Sequence, residues 1–245
     1  MSAYDADFYK QRTDSLRAAY QIVPYIIKLL KPKSVVDVGC GTGEFLYVFE
    51  EMGVSDYLGI DGDWVLRQRM RIPKEKFIPM NLEEPRKLSR TYDLAISLEV
   101  AEHLSSEAAE RFVKFLVSLS DYVLFSAAIP FQGGLNHINE QWPDYWFKLF
   151  GKHNFTPIDI VRKQFWNNEE VVYWYSQNTF LYIKNELISN NLHLLENKVD
   201  DSYINVVHPK LFLKKAQELE KIHRTIPSFV WKIKSFIKRH NRQAQ

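Results

Sequence analysis

Residues 34–43 read SVVDVGCGTG, and EFLYVF follows directly at 44–49. Three valines among the first five residues are typical of a short buried strand. The three glycines that follow let the backbone turn tightly and approach a ligand closely. Apolar residues at helical spacing then begin a helix. This order of strand, glycine loop and helix predicts a cradle for a nucleotide-type cofactor.

Strands and helices continue to alternate on both sides of this stretch. We predict helices over 14–30 and from Ser105 or Ser106 to about Leu119, and further strands at 56–60, 77–79, 92–97, 122–127, within 155–161 and within 171–184. Such alternation produces a sheet covered by helices on both faces. The sequence therefore predicts a doubly wound, Rossmann-like α/β fold with a seven-stranded, mostly parallel sheet.

The 245 residues suffice for one large domain with an appendage. We assign 1–30 to an N-terminal helical segment, 31–187 to the cofactor-binding domain and 188–245 to a helical, basic C-terminal extension. Seven Lys and Arg residues and no Asp or Glu lie in 221–245. This tail is either a solvated helix or a contact surface for a membrane, an anionic partner or another subunit.

Composition narrows the class of protein. A single cysteine, Cys40, excludes an internal disulfide, and we expect its thiol to pack beneath the glycine loop because no base is visible beside it. The first ten residues lack the order of a signal peptide, and no stretch approaches ~20 uninterrupted apolar residues. We therefore expect a cytoplasmic protein. The net charge of +2 argues against a general nucleic-acid binder.

The glycine spacing separates two kinds of cofactor. Dinucleotide folds use G-x-G-x-x-G and place a pyrophosphate at the helix N-terminus. Here the third glycine comes one residue early, and the carboxylate of Glu44 follows it, which disfavours a pyrophosphate and an NAD-dependent oxidoreductase. Asp61 ends the second strand and can accept hydrogen bonds from both hydroxyls of a ribose. Asn81 ends the third strand and is placed to contact an adenine.

These residues carry a family resemblance. Val35–Gly43 resembles motif I of class I S-adenosylmethionine (SAM)-dependent methyltransferases, and Tyr92–Glu99 resembles their motif IV. The resemblance covers about 15–185, although Asn81 stands where many members have Asp. It implies SAM as the cofactor and the class I fold, with cofactor contacts from Asp37, Gly39, Gly41, Gly43, Asp61, Asn81, Leu82 and Ser97.

A second group of polar residues follows the fourth strand. Glu99, Glu102 and His103 occupy positions i, i+3 and i+4, which share a face on a helical turn. Val100 and Ala101 would then pack inward. His137 lies in the loop after the fifth strand, which neighbours this turn in a doubly wound sheet, so two Glu and two His can form a mixed oxygen and nitrogen site for a divalent metal. A helix-start carboxylate with a capping histidine is the alternative.

The E-x-x-E-H element is similar to that of two groups of O-methyltransferases. One is the small-RNA 3′-terminal 2′-O-methyltransferases of the Hen1 type, and the other is the catechol O-methyltransferases of the ubiquinone pathway. This resemblance implies a divalent metal, Mg²⁺ or Mn²⁺, held by Glu99, Glu102, His103 and His137. The run from Ser97 to Phe150 also resembles a bacterial group of SAM-dependent methyltransferases often associated with glycan genes.

The chemistry of methyl transfer gives such a metal a purpose. The methyl of SAM is already activated by its sulfonium, whereas an alkyl hydroxyl needs its pKa lowered, as a divalent cation does. We therefore predict a metal-assisted O-methyltransferase with Glu102, His103 and His137 as catalytic residues. A histidine that binds no metal could instead act as general base.

Amide and aromatic side chains after the fifth strand suit a sugar, a glycan or a similar small diol. We predict acceptor contacts from Gln132, Asn136, Trp142 and Tyr145, although the aromatic residues could simply pack at the start of a helix. Three alternatives remain open. They are a catechol-type acceptor, an RNA 3′ end, and a non-catalytic SAM-binding subunit that docks through its C-terminal helix.

Overall fold

The structure, a computed structural model, describes residues 6–189, 194, 196–199 and 204–225, with side chains from residue 13 onward. It contains two compact units that divide after Val206. In the second unit residues 209–225 are helical. The remainder of the basic tail, 226–245, lies outside the described residues. The assignments of 1–30, 31–187 and 188–245 to separate segments stay predictions.

The sheet of the first unit has seven strands in the order β3-β2-β1-β4-β5-β7-β6. Only β7 runs antiparallel to its neighbours. The predicted fold class, a mostly parallel seven-stranded sheet, is confirmed. The strands are β1 (Ser34–Val38), β2 (Asp56–Asp61), β3 (Phe77–Pro79), β4 (Leu94–Leu98), β5 (Tyr122–Ser126), β6 (Phe155–Ile158) and β7 (Phe180–Lys184).

Helices cover both faces of this sheet. They are α1 (Ala6–Leu30), α2 (Glu44–Glu51), α3 (Ala109–Leu119), α4 (Pro143–Gly151), α5 (Val161–Phe165), α6 (Tyr173–Asn178) and α7 (Asn185–Ile188). Fully buried side chains such as Ile22 and Phe49 fill one face, and Phe112 and Phe150 fill the other. Among the described residues no helix is both long and apolar enough to cross a membrane.

One local prediction was wrong, and another was confirmed only in part. The helix predicted from Ser105 or Ser106 begins at Ala109. Ser105 is not its cap, because both its N–H and its hydroxyl donate to the carboxylate of Glu83. The strand predicted within 171–184 is confined to β7, and α6 occupies 173–178. One turn of α6 buries Tyr175 edge-on against Phe45, a contact that neither strand periodicity nor propensity reveals.

The sheet topology determines where the functional segments meet. β1 to β5 run parallel, so the segments that follow their carboxyl ends lie along one edge of the sheet. In open α/β sheets this edge is where ligands bind. It brings together the glycine loop, Asp61, Asn81, the residues after β4 and the long connection between β5 and α4.

Candidate active site

The glycine loop takes a shape that other residues cannot adopt. Gly39, Gly41 and Gly43 all have left-handed φ angles, of 86°, 56° and 87°. A Cβ atom on Gly39 would also lie 2.2 Å from a side-chain methyl carbon, Cγ2, of Val100. Left-handed backbone and close approach both require glycine. The loop after β1 is therefore fitted against the segment after β4.

Asp61 ties this loop to the end of β2. Its Oδ2 accepts a hydrogen bond from the Gly41 N–H at 2.7 Å, and its Oδ1 accepts one from the Gly62 N–H at 2.6 Å. Each carboxylate oxygen can accept more than one hydrogen bond. Asp61 is therefore held in place while it keeps acceptor capacity for the two hydroxyls of a ribose.

Carboxylates surround the loop. Asp37 is buried, and its pKa is raised by that burial and further by Asp61 and Glu44. Glu44 accepts a hydrogen bond from the Thr42 hydroxyl and lies 3.8 Å from the Arg71 guanidinium. This much negative charge repels a pyrophosphate and suits a ligand that carries positive groups, as SAM does through its sulfonium and its ammonium.

Cys40 lies buried beneath the same loop. Burial, the largest cause, and the nearby carboxylates raise the pKa of its thiol well above the ordinary value. A Cβ atom on Gly59 would lie 2.8 Å from its Sγ, so the thiol packs directly against β2. Its predicted role as a packing residue agrees with this placement.

The other predicted cofactor residues lie along the same edge. The Asn81 side-chain oxygen accepts the Glu83 N–H at 3.0 Å, and Leu82 is buried. Ser97 is fully buried, and its hydroxyl makes no hydrogen bond with any described residue. An adenine contact by Asn81, and cofactor contacts by Leu82 and Ser97, stay predictions.

Replacing Asp61 with alanine is expected to lower the affinity for S-adenosylhomocysteine (SAH) by roughly 10- to 100-fold, because the ribose acceptor and the charge-assisted hydrogen bond to Gly41 of the loop are lost. Calorimetric titration measures this effect. The matched control is Asp63→Ala, which removes an exposed carboxylate two residues away. An unchanged affinity in the Asp61 variant would contradict this role.

A second cluster forms where the turn after β4 meets the loop after β5. Glu102 and His103 lie on the 3₁₀ turn Ala101–His103, and one ligand atom from each of Glu102, His103 and His137 lies within 4.8 Å of the others. The backbone oxygen of Glu102 accepts the N–H groups of Ile138 and Asn139 at 2.9 and 3.0 Å. These bonds hold the loop that carries His137 against the turn that carries Glu102.

Glu102 is the unusual member of the cluster. Glu102 is fully buried, and neither of its carboxylate oxygens makes a hydrogen bond of normal geometry with any described residue. Burial raises its pKa well above the ordinary value, Glu99 raises it further, and the nearby N–H groups of Glu102 and Ala128 only partly oppose this. An uncompensated buried carboxylate is costly, so such a group calls for a bound cation or a proton.

The two histidines meet edge to face, with ring centroids 4.8 Å apart. His103 is open to solvent at the mouth of the cluster, yet the surrounding protein removes enough water to lower its pKa, and His137 lowers it further. Its Nδ1 lies 3.3 Å from the backbone oxygen of Asn136. A neutral imidazole is the form that binds a metal or accepts a proton.

Glu99 is placed differently from the prediction. Its φ is 56°, and its N–H pairs with Ser126 of β5, so it does not belong to the turn that carries Glu102 and His103. The prediction of one helical face for all three residues was wrong, because pairing with β5 persists through Glu99. Val100 and Ala101 are buried as expected. Glu99 as a metal ligand stays a prediction.

Two amides hold the Glu99 carboxylate. Gln132 Nε2 donates to it at 2.8 Å, and Asn178 Nδ2 donates at 3.0 Å. Asn178 also donates to the Gln132 side-chain oxygen at 2.9 Å, which joins the three residues in one network. Burial raises the pKa of Glu99, and the two amides oppose that rise. Gln132 was predicted to contact the acceptor, and the structure shows its side chain in contact with Glu99.

Sequence reasoning missed Glu140 and Asn178. Glu140 Oε1 lies 2.9 Å from His137 Nδ1, and the Glu140 carboxylate also accepts the N–H groups of Phe131 and Gly133. The spacing of His137 and Glu140 by three residues was an available signal for this pair. Asn178 had no such signal in the sequence. Its segment was predicted as a strand, and Asn178 is 79 positions from Glu99 in the chain.

Of the other predicted acceptor residues, Asn136 has a contact with the cluster. Asn136 is exposed and contacts His103 through its backbone oxygen. Trp142 and Tyr145 are half-buried at the start of α4, where Tyr145 packs edge-on against Trp146 at 5.0 Å. Their contacts with an acceptor stay predictions.

Comparison with known proteins agrees with this architecture. A family model described as "Methyltransferase domain" matches residues 10–169. No curated protein sequence matches the chain. Among solved structures, the plantazolicin methyltransferase BpumL in complex with SAH is 16% identical with a TM-score of 0.51, and the match covers 74% of this chain and 91% of that one.

Two further structures are similar. A SAM-dependent methyltransferase from Archaeoglobus fulgidus is 18% identical with a TM-score of 0.50, over 62% of this chain and 75% of that one. The methyltransferase domain of bacterial CtHen1 is 20% identical with a TM-score of 0.48, over 69% of this chain and 99% of that one. The family match spans well over half of the chain, and the strand order is the class I order. The protein therefore belongs to the methyltransferase domain family and is a class I SAM-dependent methyltransferase.

Proposed function

We propose that this methyltransferase is an O-methyltransferase assisted by a divalent metal, and that its acceptor is a hydroxyl of a sugar, a glycan or a similar diol. One observation carries the proposal. Glu102 presents a fully buried carboxylate to the ligand atoms of His103 and His137, and its oxygens make no hydrogen bond of normal geometry with any described residue. A cation bound beside Glu102 would compensate the buried charge of its carboxylate.

The residues of the cluster fit a divalent ion such as Mg²⁺ or Mn²⁺. One carboxylate and two imidazoles are a mixed ligand set that suits such ions, and the missing positions leave room for an acceptor. Glu140 fixes the His137 ring through Nδ1 and leaves Nε2 as the nitrogen for a ligand. A carboxylate behind a ligating histidine is the usual second layer of a metal site. Burial raises the pKa of Glu102, whereas a dication beside it would lower that pKa and stabilise the ionised carboxylate.

Each part of the site then has a role in methyl transfer. SAM supplies an electrophilic methyl, and the metal, when bound, lowers the pKa of an acceptor hydroxyl. The glycine loop and Asp61 hold the cofactor, while Glu102, His103 and His137 hold the acceptor end. The amides of Gln132 and Asn178 hold the Glu99 carboxylate in place. Fixing donor and acceptor on one rigid sheet edge supplies the alignment that the transfer needs.

A diol acceptor is supported by the residue types that follow β5. Asn136, beside His103, offers an amide, and Trp142 before α4 offers a flat aromatic face, a combination that suits polyhydroxylated ligands. SAH formation is measured with vicinal diols, matched single alcohols and amines, in chelated protein and after Mg²⁺ or Mn²⁺ is added back. We expect O-methylated diols that require metal. N-methylation, or turnover unaffected by chelation, would contradict the proposal, and the second result would leave His103 as general base.

Replacing Gly134 with alanine is expected to weaken metal binding by about 10- to 100-fold without removing any ligand. A Cβ atom at Gly134 would lie 2.1 Å from His137 Nε2, so the imidazole must move. SAH affinity should stay unchanged, since Gly134 lies outside the glycine loop. Calorimetric titration of Mn²⁺ and of SAH gives both values.

Gly151→Ala is the matched control, because its Cβ would meet no described atom within 4 Å. Equal metal affinity in the two alanine variants would show that the position of the His137 ring does not matter.

A further inference from the structure

A chain of three buried amide side chains ends on the carboxylate of Glu99, a residue that is itself half-buried. Gln132, Gln177 and Asn178 are 4%, 1% and 3% exposed. Gln177 Nε2 donates to Asn178 Oδ1 at 2.7 Å, and Asn178 Nδ2 donates to Gln132 Oε1 and to Glu99. Gln132 Nε2 donates to Glu99 as well. Buried amides are costly unless they are hydrogen-bonded, so this arrangement indicates that the position of the carboxylate matters.

The backbone of Glu99 is held in an uncommon conformation. Its φ of 56° lies in the left-handed region, which residues with a side chain rarely adopt. Its N–H donates to both the backbone oxygen and the hydroxyl of Ser126, each at 3.0 Å. Backbone strain of this kind concentrates at ligand sites. The strained backbone and the amide chain together fix the carboxylate in one place, as a preorganised ligand contact requires.

The residue after Glu99 packs on the glycine loop. Val100 lies so close to Gly39 that a Cβ atom on this glycine would be 2.2 Å from Val100 Cγ2. Consecutive Cα atoms are only about 3.8 Å apart. The backbone of Glu99 therefore borders the loop that is expected to hold SAM.

The electrostatic surroundings of Tyr175 indicate the same placement. Burial raises the pKa of Tyr175, and the charges of Glu99, Glu44 and Asp37 raise it further. The interaction of two charges weakens with the distance between them, so a group that is affected by all three lies near each of them. Glu99 therefore belongs to the same acidic surroundings as the two carboxylates beside the glycine loop.

The metal cluster does not include Glu99. Among the described residues, the ligand atoms that lie within 4.8 Å of one another come from Glu102, His103 and His137. The partners of Glu99 are neutral amides, which orient its carboxylate without cancelling its charge. A carboxylate oxygen can accept more than one hydrogen bond, so Glu99 can also accept one from a cationic ligand.

We propose that Glu99 accepts a hydrogen bond from the α-ammonium group of SAM, and that Gln132 and Asn178 are positioning residues that hold its carboxylate for this contact. The ammonium combines a positive charge with hydrogen-bond donors, whereas the sulfonium has no N–H or O–H to donate. A charge-assisted hydrogen bond of this kind is roughly twice as strong as a neutral one. The contact requires SAM as the cofactor and neither the proposed metal nor the proposed acceptor.

Calorimetric titration of the full chain with two compounds tests this proposal. SAH keeps the ammonium, whereas 5′-deoxy-5′-methylthioadenosine keeps the adenosine and the thioether and lacks the amino-acid end. Glu99→Gln is expected to lower SAH affinity by roughly 10- to 100-fold and to leave the affinity for methylthioadenosine within about twofold of the wild type. Glu107→Gln, which changes an exposed carboxylate, should alter neither affinity.

The positioning role has its own pair of variants. Gln132→Ala and Asn178→Ala should each lower SAH affinity by about three- to tenfold, because Glu99 stays but loses a partner. Neither should change the affinity for methylthioadenosine, which a merely structural loss would also lower. In the Glu99→Gln background both substitutions should have little further effect on SAH. Gln164→Ala, which removes an exposed amide, is the control.

Unchanged SAH affinity in Glu99→Gln would overturn the proposal, and so would equal losses for the two compounds. Loss of Mn²⁺ affinity with SAH affinity retained would assign Glu99 to the metal instead. Binding of methylthioadenosine shows that a variant is folded, and Asn178→Ala tests the same contact if Glu99→Gln does not fold. The titrations with the two compounds need neither metal nor turnover, so failure of the proposed function would leave their result intact.

Discussion

Glu102→Gln is expected to lower metal-dependent methyl transfer by about a thousandfold, because a metal contributes several kcal/mol to such a reaction and Glu102 is the only carboxylate of the described cluster. SAH affinity should be unchanged, since Glu102 does not reach the glycine loop. The measurement is SAH formation at saturating Mn²⁺ alongside calorimetric titration of SAH. Glu107→Gln, which changes an exposed carboxylate on the following segment, is the control.

The same variant has an expected effect on stability that a merely structural role would not produce. Burying Glu102 without a cation requires either proton uptake or an uncompensated charge, and a neutral amide reduces that cost. The metal-free variant should therefore melt above the metal-free wild type, by roughly 2–4 °C for each kcal/mol recovered. Mn²⁺ should raise the melting temperature of the wild type only. A variant that melts lower without metal and keeps its turnover would contradict the assignment.

Gly39→Ala is expected to lower SAH affinity by about 100-fold or more. A Cβ atom would lie 2.2 and 2.7 Å from the two methyl carbons of Val100, and the left-handed φ of 86° adds strain of about 1–2 kcal/mol. The loop cannot withdraw from Val100 without breaking its tie to Asp61. Calorimetric titration of SAH, with melting temperature as a check of folding, measures the effect.

Gly53→Ala separates the clash from the backbone strain. Gly53 has an equally left-handed φ of 94°, yet its Cβ would meet no described atom within 4 Å. It should therefore lose stability and keep its SAH affinity. In a double-mutant cycle, Val100→Ala should restore part of the affinity lost in Gly39→Ala. If the double variant recovers nothing, the contact with Val100 is not the cause.

The fold followed from local features that repeat along the chain. Valine-rich and apolar runs ending at Val38, Asp61 and Ser97 each precede a polar segment, and a parallel sheet gathers such ends on one edge whatever the details of the helices. The errors arose where a long-range contact decides the local structure. Glu83 takes both donors of Ser105 and so removes the predicted cap, and packing of Tyr175 on Phe45 makes a helix from a segment rich in strand formers.

The candidate site was predictable to a similar extent. The spacing of Glu102, His103 and His137 correctly indicated three groups that meet, because the topology places the segments after β4 and β5 side by side. Helical spacing failed for Glu99, whose backbone continues its pairing with β5. No rule of spacing could have joined Glu99 to Asn178, since that contact depends on how α6 packs before β7.

The proposed function depends on a divalent metal held by Glu102, His103 and His137. Anomalous diffraction from crystals grown with SAH and Mn²⁺ would locate such an ion. We expect a manganese peak within bonding distance of a Glu102 carboxylate oxygen, a His103 nitrogen and His137 Nε2, with SAH in the glycine loop beside Asp61. Well-ordered SAH with no manganese among these three side chains would contradict it.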